Sequence, residues 1–318
     1  MPRLAIMIKP LNDEQLIIAR QIGVTDIVTA YPGPELDNLR RLKERIENLG
    51  LRLSVIEDDL PMRRIVLGQD GAEQQFDEMS CLIQHMGKLG IQVLCYNFMA
   101  ELDMTRTSFE VPQRGGAVTS GFDWQLAKNW PPDPDAPTDN RQQWDRLEEF
   151  LKRLVPVAEA ADVRLAMHPD DPPIPQLRGM AHIMHRPEAF DRMLAIVDSP
   201  ANGITFCQGC FSEMNADIPS LIHQFDQRIH FVHVRDTTGC PTRFEETFHD
   251  NGPTDMVAAI QAYHDIGFDG LLRPDHVPQL HGEMGKANGY TFLGRLHAIG
   301  YLTGLMQAAE CHGNRPAP

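Results

Sequence analysis

The sequence predicts a single (β/α)8 TIM barrel, on three observations. Eight short apolar, β-branched runs alternate with longer stretches of helical periodicity. The order helix, glycine, strand recurs at Gly23, Gly50, Gly90 and Gly267. Dividing 318 residues by eight gives about 40 per unit, a length that suits strand plus helix plus loops.

The runs span residues 4–8, 26–31, 52–57, 92–98, 164–169, 203–208, 229–235 and 270–275. They are nearly continuously apolar, as strands buried on both faces of a parallel sheet must be. Helices are expected at 13–21, 36–49, 73–89, 141–160, 187–197, 217–225, 255–266 and 290–309. In the second, Leu39, Leu42, Ile46 and Leu49 repeat at helical spacing before Gly50. In the fourth, Leu147, Phe150, Leu151 and Leu154 line one face. A doubly wound open sheet is the other α/β arrangement, but no glycine-rich fingerprint follows the first run. Residues 99–140 are rich in Pro, Gly and Asp and follow the fourth run, so they predict a loop or lid over one barrel end. The barrel is expected over 1–311, with a flexible tail at 312–318.

Composition narrows the function. Twenty-nine Lys+Arg stand against 44 Asp+Glu, a formal charge of −15, with 42% apolar and 23% charged residues. That balance suits a soluble globular chain and disfavours nucleic acid or an anionic membrane surface, which call for clustered cations. A small-molecule ligand is expected. No apolar stretch reaches the length of a membrane span, and the N-terminal run is too short for a signal peptide, so a cytoplasmic location is expected. Six cysteines form no disulfide framework and are expected to be thiols or ligands.

Barrel active sites lie at the C-terminal ends of the strands. The fifth to eighth runs each end on a metal-capable side chain: His168, Cys207, His233 and Asp275. Adjacent strands lie about 4.8 Å apart, so four such ends can converge on one point. Two imidazoles, a thiolate and a carboxylate suit Mn²⁺, Fe²⁺, Co²⁺ or Zn²⁺ rather than an all-oxygen ion. Cys207-Gln208-Gly209-Cys210 is a CxxC, read as a ligand with a neighbouring thiol because no redox context surrounds it. Arg235 shares a strand face with His233, and either holds a substrate anion or pairs with Asp236 at the rim. His276 follows Asp275 as an acid, base or orienter. Arg106 and His249 lie in long loops over the mouth. Asp170-Asp171-Pro172-Pro173 reads as a rigid acidic turn.

These strings together resemble the mannonate dehydratase family. The matching pieces are Tyr96-Asn97-Phe98-Met99, Asp103, Thr105-Arg106-Thr107, His168-Pro169-Asp170-Asp171-Pro172-Pro173, Ala201-Asn202-Gly203 with Thr205 and Cys207, His233 with Arg235, His249, Asn251-Gly252, Asp255-Met256 and Arg273-Pro274-Asp275-His276. The resemblance implies Mn²⁺ on His168, Cys207, His233 and Asp275. It implies dehydration of D-mannonate to 2-keto-3-deoxy-D-gluconate in hexuronate catabolism, with His276 and Tyr290 as acid/base residues. Arg235 and Arg106, with Asn97 and His249 from the matching strings, are expected against the substrate. Family members tend to form dimers or tetramers, so a homo-oligomer is expected. The substrate rim departs from the family pattern: Met7-Ile8-Lys9-Pro10 stands where an aromatic-glycine string is usual, and Gln208-Gly209-Cys210 where Thr-Gly-Ser is usual. The alternative function is a metal-dependent sugar or sugar-acid isomerase or epimerase, against which Cys207 counts.

Overall fold

The computed structural model describes residues 2–99, 105–136 and 138–313. Its strands are β1 (Arg3–Met7), β2 (Asp26–Thr29), β3 (Arg52–Ile56), β4 (Val93–Tyr96), β5 (Ser108–Pro112), β6 (Val118–Asp123), β7 (Arg164–Met167), β8 (Gln176–Leu177), β9 (Met180–Ala181), β10 (Asn202–Cys207), β11 (Ile229–Val234), β12 (Thr237–Cys240), β13 (Arg243–Glu246) and β14 (Leu271–Pro274). Eight of them close a parallel barrel in the order β1-β2-β3-β4-β7-β10-β11-β14, with β14 returning to β1. These eight are the runs expected from sequence: six are trimmed by one to three residues, and β1 and β10 keep their length but start one residue earlier.

Period-two alternation sorts the strand side chains onto two faces. Ala5, Met7, Val28, Val55, Val93, Cys95, Ala166, Phe231 and Leu271 cluster together within the barrel. Their neighbours Leu4, Ile6, Ile27, Leu53, Leu94, Leu165 and Val232 join the larger cluster beneath the helices. Both faces are buried, which is why the runs read as continuously apolar.

The helices are α1 (Asp13–Gln21), α2 (Leu36–Glu47), α3 (Arg63–Leu67), α4 (Ala72–Leu89), α5 (Trp124–Ala127), α6 (Asn140–Ala160), α7 (Pro187–Ile196), α8 (Gln208–Glu213), α9 (Ile218–Phe225), α10 (Met256–Asp265) and α11 (Phe292–Gly313). Side-chain caps fix five of the starts, among them α5, where Asp123 accepts from Gln125 N–H. Asn12, Asp139, Asp217 and Asp255 each accept from a backbone N–H two or three residues into the helix. Gly90 ends α4 at φ 68°, a left-handed conformation that glycine adopts at little cost. No helix among the described residues is long and apolar enough to cross a membrane.

The expected loop at 99–140 is partly regular. Within it β5 and β6 form an antiparallel hairpin, and β6 pairs with β13, giving the sheet β12-β13-β6-β5. Two segments far apart in the chain thus build one accessory sheet over the C-terminal ends of the barrel strands. Phe122, Phe244, Ile174 and Leu177 make its small apolar core. Residues 100–104 and 137 and the end of the expected tail, 314–318, lie outside the described residues.

Candidate active site

His168, Cys207, His233 and Asp275 converge: one ligand atom from each lies within 4.8 Å of the others. Cys207 ends β10, His233 is the last residue but one of β11, and His168 and Asp275 immediately follow β7 and β14, at the same end of the barrel. The His168 and His233 rings are 4.9 Å apart. His168 Nδ1 donates to the Pro169 carbonyl at 2.7 Å, which leaves Nε2 to face Cys207. His233 sits between two carboxylates, with Nδ1 3.7 Å from Asp275 Oδ2 and Nε2 3.4 Å from Glu57 Oε1.

The electrostatics favour a thiolate and a carboxylate, with a proton on the His168 ring that a bound cation would displace. Burial pushes the Cys207 thiol up, but the Cys210 thiol, Arg235 and His168 together hold it well below the ordinary cysteine value. Burial lowers His168, yet the Cys207 thiolate beside it wins and raises it to about 9. Asp275 is held below the usual carboxylate range by His276, Arg273 and His233, which outweigh its burial. Its Oδ1 is buried without a well-formed hydrogen bond, although Arg273 Nη1 stands 3.0 Å away. A thiolate, a carboxylate with an unused oxygen and two imidazoles in one buried spot fit a borderline divalent ion.

The donors adjoin a cavity of about 440 Å³, a size typical of small-molecule sites. Asn97, His168, His233, Asp275, His276 and Tyr290 line it, and so do Glu57, Lys9, Arg273 and Lys286. The His276 and Tyr290 rings meet edge to face, with centroids 5.3 Å apart. Burial, reinforced by Asp275, keeps the Tyr290 phenol well above its ordinary value and therefore protonated.

Arg106, Arg235 and His249, expected against the substrate, do not line this cavity. Arg106 grips Asp171 with two hydrogen bonds, at 2.6 and 2.9 Å, and donates to Glu246 at 2.6 Å. Arg235, fully buried, donates to Asp171 at 2.8 Å and to Glu246, and lies 3.3 Å from Asp275. Its pairing is thus with Asp171 and Glu246 rather than with Asp236, which is instead bonded to Ser212, Thr237 and Thr254. His249 Nε2 donates to the Val234 carbonyl at 2.7 Å, and burial holds the ring neutral, at about 4. The physical reason is common to all three. A guanidinium or imidazole in this dry region needs a partner, and acidic groups or carbonyls of the scaffold supply it.

Glu57 escaped the sequence reading, and Arg273 entered it only as part of a matching string, with no role. Glu57 immediately follows β3, and Arg273 Nη2 donates to it at 3.0 Å. Burial opposes its charge, but Arg273 and His233 hold it at about 2. Reading the end of the third strand as well as the last four would have found it.

A closed (β/α)8 barrel with a His/Cys/His/Asp cluster of a kind able to hold a metal ion, beside a His–Tyr pair, defines a TIM-barrel protein with an enzyme-like site at the C-terminal ends of its strands. The comparisons narrow the class. The D-mannonate dehydratase (UxuA) family model matches residues 10–134 and 135–315. Mannonate dehydratase of Thermotoga petrophila is 35% identical over 313 residues, covering 86% of each chain. That of Streptococcus agalactiae serotype Ia is 33% identical over 318 residues, covering 90% of this chain and 91% of the relative. The crystal structure of mannonate dehydratase from Streptococcus suis serotype 2 superposes with TM-score 0.90 at 30% identity, over 100% of this chain and 97% of that one. An L-ribulose 3-epimerase structure, at TM-score 0.64 and 17% identity, shares the fold. The chain belongs to the mannonate dehydratase family, and with it to the hydro-lyases.

Proposed function

We propose that this protein removes water from D-mannonate to give 2-keto-3-deoxy-D-gluconate, with a divalent ion held by His168, Cys207, His233 and Asp275. The observation that carries the reading is the convergence of these four side chains at the wall of the cavity that His276 and Tyr290 also line, with Cys207 just behind it. Mn²⁺ is the ion proposed, from the family resemblance. When bound, the ion supplies Lewis-acid stabilisation of the negative charge that develops as the C2 proton leaves.

The side chains divide the rest of the work. His276 Nδ1 faces Glu246 Oε1 at 2.8 Å, so Nε2 carries the lone pair, and His276 takes the C2 proton. Tyr290, held protonated, gives its proton to the departing C3 hydroxyl. Arg273 and Asn97 meet substrate oxygens from the cavity wall. Arg106 and Arg235 act by holding Asp171 and Glu246 in place. The enol released by the elimination tautomerises to the 2-keto acid.

The test is a keto-acid assay on purified protein with added Mn²⁺, against D-mannonate and its C2 and C3 epimers. D-Mannonate turnover with loss of one water is expected. Turnover of another aldonate alone would move the substrate, and Lys9 in the cavity wall favours checking that. Rearrangement without loss of water would replace the reading with an isomerase or epimerase. Cys207→Ala and Asp275→Ala are each expected to empty the metal site by elemental analysis; full metal content in either would overturn the ligand assignment.

A further inference from the structure

The accessory sheet carries one acidic side chain down to the active site. Along β13 the burial alternates: Arg243 and Glu245 face solvent, Phe244 and Glu246 face inward. Phe244 packs on Phe122 of β6, with a ring separation of 5.8 Å. The Glu246 carbonyl accepts from Thr119 Oγ1 at 2.9 Å and Gln113 Nε2 at 3.2 Å, so its backbone is pinned from the facing hairpin. One carboxylate oxygen, Oε1, then accepts from Arg106, Arg235 and His276 Nδ1.

We infer that Glu246 is the positioning residue for His276: it fixes the imidazole with Nδ1 protonated and Nε2 presented to the cavity. This rests on the reading of His276 as the group that takes the C2 proton. A carboxylate between two guanidiniums can only accept, so the nitrogen facing it must donate. The neutral ring then has its lone pair on Nε2 alone. Arg106 Nη2 stands 3.3 Å from Nδ1 and cannot donate to a nitrogen that already bears hydrogen, which leaves that guanidinium to Asp171 and Glu246. Loss of the carboxylate frees the ring to rotate or to take the other tautomer, and the base is then mispresented in most molecules. Substrate contacts are untouched, so the rate falls while binding is kept.

The experiment compares the native full chain with Glu246→Gln, whose amide can offer either a donor or an acceptor to Nδ1. Two-bond ¹⁵N–¹H spectra of ¹⁵N-histidine-labelled, Zn²⁺-loaded protein read the ring state directly, with the His276 signals assigned by their absence in His276→Gln. The native ring is expected to be protonated on Nδ1, and Glu246→Gln to lose that single state. With Mn²⁺, kcat of Glu246→Gln is expected to fall about 10²- to 10³-fold, with KM within a few-fold and metal content unchanged. A native ring protonated on Nε2 overturns the inference without reference to any variant. So does a Glu246→Gln protein with native kcat and an unchanged ring state. A changed ring state with native kcat leaves the positioning intact and overturns the proton-transfer role of His276 instead.

Discussion

Gly209→Ala isolates the buried ion cluster without touching a charged residue. Gly209 lies in α8 against Arg235. A Cβ there would sit 2.7 Å from Arg235 Cδ and closer still to Cγ and Nε. Arg235 has no room to retreat, since it is fully buried among Asp171, Glu213, Glu246 and Asp275. Displacing it leaves buried carboxylates short of a counter-charge, which costs about 3–5 kcal/mol when a buried pair is broken. Alanine returns about 1 kcal/mol of helix propensity. The net is a loss of about 2–4 kcal/mol, or a fall in Tm of roughly 3–6 °C for a chain of this size. Urea unfolding and differential scanning calorimetry measure both. Gly300→Ala in α11 is the control: nothing lies within 4 Å of its Cβ position, so it is expected to be neutral or slightly stabilising. A Gly209→Ala protein with the native unfolding midpoint would refute the claim that this glycine exists for the room Arg235 needs.

Other perturbations test separate parts of the molecule. Asp26 at the start of β2 is buried and accepts from Arg3, Arg52, Ser54 and Thr25. Asp26→Asn is expected to lose about 2–3 kcal/mol at pH 7 by denaturant titration, and a native midpoint would discount the cluster. Burial opposes the charge on Asp26, but its partners hold its pKa below the ordinary 3.8. The stability it supplies is therefore present above that value and lost as pH falls below it, and the variant's stability is expected to be flatter there. His230 on β11 runs in the same direction from a different cause. Burial lowers it from 6.5 to about 4, so on acidification the unfolded chain takes up the proton first. Stability is expected to fall by about 3 kcal/mol between pH 6.5 and 4 through this ring, and His230→Gln is expected to lose that part of the slope. Arg106→Lys keeps the charge but not the two-pronged grip on Asp171, and is expected to lower Tm and kcat together; a variant with native values of both would show that the fork is dispensable.

The barrel and the convergence of its four metal-capable side chains were legible because both are written in local pattern. Each strand is a short apolar run, and each donor sits where such a run ends, so position along the strand fixes position in space. The accessory sheet was not legible. Its strands are short, and β12 and β5 carry Thr, Ser, Gly and charged residues in place of an apolar alternation. The pairing of β6 with β13 joins residues more than a hundred apart, a fact that neither segment records. The same distance hid the true partners of Arg106 and Arg235: Asp171 and Glu246 come from other loops, and a lone arginine near a mouth looks free for a ligand. Tyr290 and His276 could be matched by resemblance, but their edge-to-face contact depends on the 276–290 loop folding back, which no periodicity signals.

Closure of the barrel has a consequence for synthesis. Arg3 and Leu4 of the first strand hydrogen-bond beside Leu271 and Leu272 of the last, so nearly the whole chain must be made before the ring can shut. At about 5–20 residues per second the first strand waits on the order of tens of seconds with one edge unpaired. Asp275, the last of the four donors, lies one residue beyond the closing strand. A chain still being synthesised therefore offers an incomplete donor set on an open sheet, and the step that removes the exposed edge is the same step that completes the set.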